Sequence, residues 1–209
     1  MAAFGLENLA GDAGFNRDAG SSVLRDTTGM RTVIAPREFV HSLRLVLEKE
    51  SPGAWRTVLK SSGLAGGQQL ARHLDAEFAR QGQPGLSALP LESCLVLIQN
   101  YFARQGWGRL EFDLADAAEH GLVVARLEHS GFAATLTDVA DFADALPAGV
   151  LQGFFEHLSG EGLGCEEIAC VRRGALRCVF VITAPERLAA VRSFFGAEPV
   201  EAILVRLKA

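Results

Sequence analysis

Apolar positions recur at helical spacing through the first half of the chain and at a period of two in several later stretches. After Pro36, the residues Phe39, Val40, Leu43, Val46 and Leu47 form one stripe, with His41, Arg44 and Lys49 on other faces, which predicts a helix. Ser51 and Pro52 suit the cap and first turn of a second helix carrying Trp55, Val58 and Leu59. Gly63 and the pair Gly66-Gly67 follow, and Leu70, Leu74 and Phe78 then predict a third amphipathic helix that Gly82 and Pro84 end. Glycines between the two pieces permit close backbone packing or a kink. Leu91, Leu95, Ile98 and Phe102 predict a further helix over 91–104, stopped by Gly106-Trp107-Gly108.

The period then changes. Leu110, Phe112 and Leu114 alternate with Glu111 and Asp113, the pattern of a half-buried strand. A polar turn at Glu119-His120-Gly121 leads to a second run, Leu122 to Glu128, and the two predict an antiparallel hairpin. A helix is predicted over 147–159, in which Gly149 and Gly153 leave one face nearly bare. Leu163 to Val171 and Leu176 to Thr183 predict a second strand pair around Arg172-Arg173-Gly174, followed by a short helix over 185–195 and a last strand over 200–207. Helices first and hairpins afterwards give an α+β layout, an antiparallel sheet packed with helices. Residues 1–35, rich in Gly, Ala, Asp, Ser and Thr, read as a partly irregular N-terminal arm, and 36–209 as one domain.

Composition narrows the functional classes. Hydrophobic residues make up 49% of the 209, enough for a core that needs neither metal nor disulfides in order to fold. A net charge of −5 argues against a broad nucleic-acid footprint, which needs clustered cations. No apolar run approaches the roughly 18 residues of a membrane span. Residues 1–17 lack a basic region followed by an apolar one, so a cytoplasmic, reducing location is expected. Four cysteines are too few for a disulfide scaffold, yet Cys165, Cys170 and Cys178 crowd together, with Cys94 apart on a helix face. Cys170 and Cys178 are symmetric about Gly174, so a hairpin turning there sets them opposite each other, about 4.5–5.5 Å apart at Cα. From that distance both sulfurs reach one metal ion; the alternative is that they are small buried hydrophobes.

Several stretches resemble the 4-vinyl reductase domain family. These are Gly149-Val-Leu-Gln-Gly153-Phe-Phe, Gly160, Cys165-Glu-Glu-Ile-Ala-Cys170 and Gly174-Ala-Leu-Arg-Cys178-Val-Phe-Val-Ile. Supporting likenesses are Leu59-Lys-Ser-Ser-Gly-Leu-Ala-Gly-Gly67, Gly106-Trp-Gly-Arg-Leu-Glu-Phe112 and Leu127-Glu-His-Ser130-Gly-Phe-Ala, so that the resemblance covers roughly 37–183. It implies the α+β fold shared with transport-particle (TRAPP) subunits, often dimeric, and binding of small apolar or aromatic molecules or tetrapyrrole intermediates. Phenol-sensing members of this family bind zinc through three cysteines and a glutamate. By that resemblance Glu167, Cys170 and Cys178 match three ligand positions, and the fourth is Asp144 in place of cysteine. A carboxylate for a thiolate weakens a soft site; Cys165 lies nearby, but at an offset that does not match.

Two further expectations concern function. Tyr101, Phe102, Trp107, Phe112, Phe132, Phe154 and Phe155 gather around the hairpin and the glycine-bearing helix. A pocket for a hydrophobic small molecule would use Tyr101, Phe102, Trp107, Phe112 and Phe154 as walls and His129 as a polar contact; the alternative is plain core. No glycine-rich dinucleotide turn, Gly-x-Ser-x-Gly stretch or His-Glu-x-x-His motif occurs. No catalytic residue is therefore nominated, and three readings stand. The first is a non-catalytic small-molecule binding or sensing domain. The second is an assembly protein with a protein partner, and the third an enzyme of tetrapyrrole vinyl reduction. The bare helix faces and the stripe from Phe39 to Leu47 predict a homodimer.

Overall fold

The structure is a computed structural model that describes residues 14–209, so Met1 to Ala13 of the arm lie outside the described residues. The rest of the arm begins as a small hairpin, β1 (Phe15–Arg17) with β2 (Leu24–Asp26), paired Phe15 to Asp26. Carboxylates shape its turns. Asp18 accepts from the Gly20 and Ser21 amides, and buried Asp26 from the Thr28 and Met30 amides. His73 contacts the Thr28 carbonyl at 3.0 Å and so ties the arm to the body.

Two helices follow, α1 (Arg37–Glu50) and α2 (Trp55–Arg80). The second corrects the expectation of a break at Gly63 to Gly67: 26 residues run as one helix. Its glycines are contacts, not interruptions. A Cβ at Gly63 would stand 2.2 Å from the Leu146 carbonyl oxygen, and one at Gly67 equally close to that of Val150. The partner is α6 (Ala145–Ser159), whose Gly149 and Gly153 abut the Lys60 and Leu64 carbonyls at 2.1 and 2.2 Å in the same sense. Four glycines therefore let two backbones touch.

Between these lie α3 (Leu91–Arg104), β3 (Arg109–Asp113), the short α4 (Ala117–His120), β4 (Val123–Glu128) and α5 (Gly131–Thr135). After α6 come β5 (Gly164–Ala169), β6 (Cys178–Thr183), α7 (Pro185–Val191) and α8 (Val200–Lys208). Four strands form one antiparallel sheet in the order β3-β4-β6-β5, which joins the two expected hairpins through β4 and β6. One face carries the main core with α2, α3 and α6; the other carries a smaller core of Val124, Val179 and Val181 against Leu188, Ile203 and Leu207. The central strand β6 is buried throughout, so it reads as a continuous apolar run.

The expected last strand is a helix, α8. Ile203 and Leu207, four apart, face the sheet while Val205 is exposed. Glu201 in the first turn and Arg206 and Lys208 in the last complement the helix dipole. Among the described residues no helix is long and apolar enough to cross a membrane.

Candidate functional site

The site begins with an irregularity in a strand. β5 and β6 pair Glu167 with Phe180 and then Ala169 with Val179, so one extra residue is accommodated between. A regular strand puts Glu167 and Cys170 on opposite faces; the bulge puts both on the main-core side, beside Cys178. The same shift sets Cys170 against Cys178 and brings their sulfurs to 3.8 Å, as two free thiols.

Asp144 arrives from the start of α6. It occupies the N-cap position yet makes no cap bond with its side chain. Instead its Oδ1 accepts from the Ser130 hydroxyl at 2.5 Å, and Ser130 in turn accepts from the Ala133 amide and so caps α5. The Asp144 amide donates to Glu167 Oε2 at 2.9 Å. Asp144 Oδ2 and Glu167 Oε1 are buried without a partner. One ligand atom from each of Asp144, Glu167, Cys170 and Cys178 lies within 4.8 Å of the others, and all four residues are buried, Glu167 the least at 6% exposed.

Four acidic groups packed so closely cannot all ionise without a cation among them. Burial raises the proton affinity of Asp144. Burial followed by the neighbouring Asp144 charge raises that of Glu167 well above the usual carboxylate range. The hydrogen bond that Cys178 donates holds the Cys170 thiol down at about 6 and drives Cys178 up, so Cys170 is the first of the two to become a thiolate. The donor set fits Zn²⁺. Two thiolates each about 2.3 Å from a tetrahedral ion stand about 3.8 Å apart, the separation found here. The two orphaned oxygens supply the remaining positions. Cys165 is outside this set: it pairs with Ile182 along the hairpin, and burial raises its thiol pKa strongly. Cys94 is core, donating to the Leu86 carbonyl, its thiol pushed up to about 11 by burial.

The aromatic residues are arranged otherwise than a pocket requires. Trp107 packs edge-to-face on Tyr101, Phe102 and Phe132, with centroids 5.2–5.6 Å apart. Phe112 and Phe154 meet through Phe155 in a second group, and Phe102 and Phe154 are fully buried. Beside Tyr101 the free space is only about 10 Å³, at the lower limit for one water. His129 is exposed at the end of β4, with φ +55°, and is not among the rings. These six nominated residues thus stand as packing and surface around sealed rings.

A cleft of about 700 Å³ opens elsewhere, where α2 and α6 meet the edge strand β5. Arg56, Lys60 and Leu64 line it from one stripe of α2, Phe142 and Ala148 from around the start of α6, and Arg192 and Phe195 from beyond α7. Glu167 belongs to its wall as well as to the buried donor set. Sequence reasoning missed this cleft. The i, i+4 spacing of Arg56 and Lys60 was its one local signal, because the other walls come from distant segments.

Residues 123–184, from β4 to the end of β6, match the model of the vinyl-4-reductase domain family, and all four donors fall within that stretch. No curated protein matches the chain. Among solved structures, the phenol-responsive sensory domain of the transcription activator PoxR, crystallised with phenol, superposes with a TM-score of 0.70 at 17% identity, covering 100% of both chains. A trafficking protein particle complex subunit 3 from Naegleria fowleri, covalently bound to palmitic acid, gives 0.51 at 14% identity, over 70% of this chain and 91% of that one. A vinyl-4-reductase family protein from Methanocaldococcus jannaschii gives 0.48 at 19% identity, over 73% and 83%. At such identities the likeness is one of fold. The chain carries a vinyl-4-reductase domain over residues 123–184, set in the α+β fold that this family shares with the trafficking-particle subunits.

Proposed function

We propose that the chain is a non-catalytic domain that binds a small molecule in the cleft, with a Zn²⁺ ion clamping the β5–β6 hairpin beneath it. The observation that carries this reading is the double position of Glu167, in the cleft wall and in the buried donor set. A ligand in the cleft and an ion on Asp144, Glu167, Cys170 and Cys178 then act on one hairpin, which is how binding would be converted into a change of shape. The orphaned oxygens of Asp144 and Glu167 support the ion, and the fold likeness to a phenol-responsive sensory domain supports sensing. A reducing, cytoplasmic setting suits free thiols as ligands.

The unpartnered face of α1 favours association in addition. Phe39 is 59% exposed and Val46 56%, with Leu43 beside them on the same stripe. A second copy of the chain is the proposed occupant, giving a homodimer. The competing reading, an assembly role with a different protein on that face, rests on the same stripe.

Thermal unfolding in the presence of neutral aromatics and aromatic carboxylates tests the ligand reading, because a ligand that binds the native state raises Tm. A rise that saturates with one of them supports it; no rise with any overturns it. Elemental analysis of protein prepared without chelator tests the clamp. About one zinc per chain, lost in Cys178→Ser, is expected, and a metal-free wild-type protein overturns it.

A further inference from the structure

We propose that the cleft selects an organic anion: a carboxylate, sulfonate or phosphate group carried on an apolar, preferably flat, body. This rests on the reading of the cleft as the ligand site and adds the chemical class. Four cations stand on the cleft surface and share two carboxylates. Asp141 bridges Arg56 at 2.7 Å and Arg173 at 2.8 Å. Glu166 takes Lys60 at 2.9 Å and Arg192 at 2.6 Å, both on the same Oε1 atom. Two positive charges are therefore in surplus there, in a chain whose net charge is −5.

The two halves of this cation set differ. Arg56 and Arg173 are held by additional bonds to the Phe142 and Gly196 carbonyls, and their guanidinium carbons lie 5.6 and 5.0 Å from the Phe142 ring centroid. They form a fixed wall. Lys60 and Arg192 compete for a single oxygen, and Arg192 is 69% exposed. An incoming anion takes up one of them without breaking the other pair. Leu64, Ala148 and Phe195 supply apolar surface beside these charges. An anionic head on a ring-sized body satisfies both surfaces, whereas a neutral ring leaves the surplus charge unmatched.

The test uses two fluorescent probes that differ by one charged group. These are 1-anilinonaphthalene-8-sulfonate and its uncharged counterpart N-phenyl-1-naphthylamine, titrated into the full chain as purified. The sulfonate is expected to bind at least about tenfold more tightly, a difference of about 1.4 kcal/mol, and to weaken as salt is raised. Arg192→Met and Lys60→Met should each weaken it severalfold and leave the neutral probe unchanged. Glu166→Gln, which releases two cations, should tighten the sulfonate, a gain that damage to the fold does not produce. Equal binding of both probes overturns the anion preference and leaves the ligand site standing; binding of neither overturns both. Sulfonate binding that appears only after the metal is stripped also overturns the proposal, since the surplus charge then serves the clamp.

Discussion

Glu167 concentrates the chemistry of this molecule in one side chain. With no metal bound its carboxyl sits in a site that disfavours charge, first by burial and then through Asp144. Its folded-state proton affinity thus exceeds that of the unfolded chain, near 4.3. The folded state then binds the extra proton, so the contribution of Glu167 to stability is complete below that value. It is lost as pH rises towards the higher folded value. Metal-free wild type should therefore lose stability relative to metal-free Glu167→Gln as pH is raised from about 4 to 8. With metal present the order reverses, because the ion needs the ionised carboxylate. Tm measured across pH for both proteins, with and without chelator, checks this; parallel profiles in the metal-free state would contradict it. At this scale the sequence was partly legible. The symmetry of Cys170 and Cys178 about Gly174 gave their apposition, and the resemblance gave Asp144 and Glu167 as companions. What spacing alone hid was the bulge that turns Glu167 towards the thiols, since a regular period of two points it away. Ser130 was hidden too, because its partner Asp144 lies 14 residues on.

Among the elements, the pairing of α2 with α6 shows how one residue type misleads in sequence and explains in structure. Glycine in a helix interior costs about 1 kcal/mol relative to alanine, which is why Gly63 to Gly67 reads as a break. Close backbone contact offsets that cost at Gly63, Gly67, Gly149 and Gly153. Gly66 is the internal control: it is exposed, and a Cβ there meets only Val150 Cγ2 at 4.0 Å. Gly153→Ala, pressed against backbone, should destabilise by about 2 kcal/mol or more. Gly66→Ala should stabilise by up to about 1 kcal/mol. Chemical denaturation of the two variants decides it, and equal effects would contradict the packing. The misreading of α8 as a strand has a different origin. Its β-branched residues and short length favour a strand, and only the Ile203–Leu207 spacing and the charge order along the segment carried the helix.

At the scale of the whole molecule, the fold class and both hairpins were legible because alternation and turn residues are local. The cleft was not, because its walls converge from segments far apart in the chain, and residue patterns carry no such information. The aromatic residues were legible as a cluster but not as a sealed one, since edge-to-face packing is a matter of tertiary geometry. Association belongs to this scale as well. Sedimentation velocity at micromolar concentration should show a dimer for wild type and a monomer for Phe39→Asp with Val46→Asp, both on the exposed stripe of α1. A wild-type monomer would remove the homodimer and leave the stripe unexplained. A ligand in the cleft above a metal-clamped hairpin is tested most directly by native mass spectrometry of the intact chain, isolated from its own cells at neutral pH without chelator. The expected result is a chain mass increased by one zinc ion and by a small organic molecule, with the metal addition lost in Cys178→Ser. A bare chain mass, unchanged after zinc and candidate ligands are added, would contradict it.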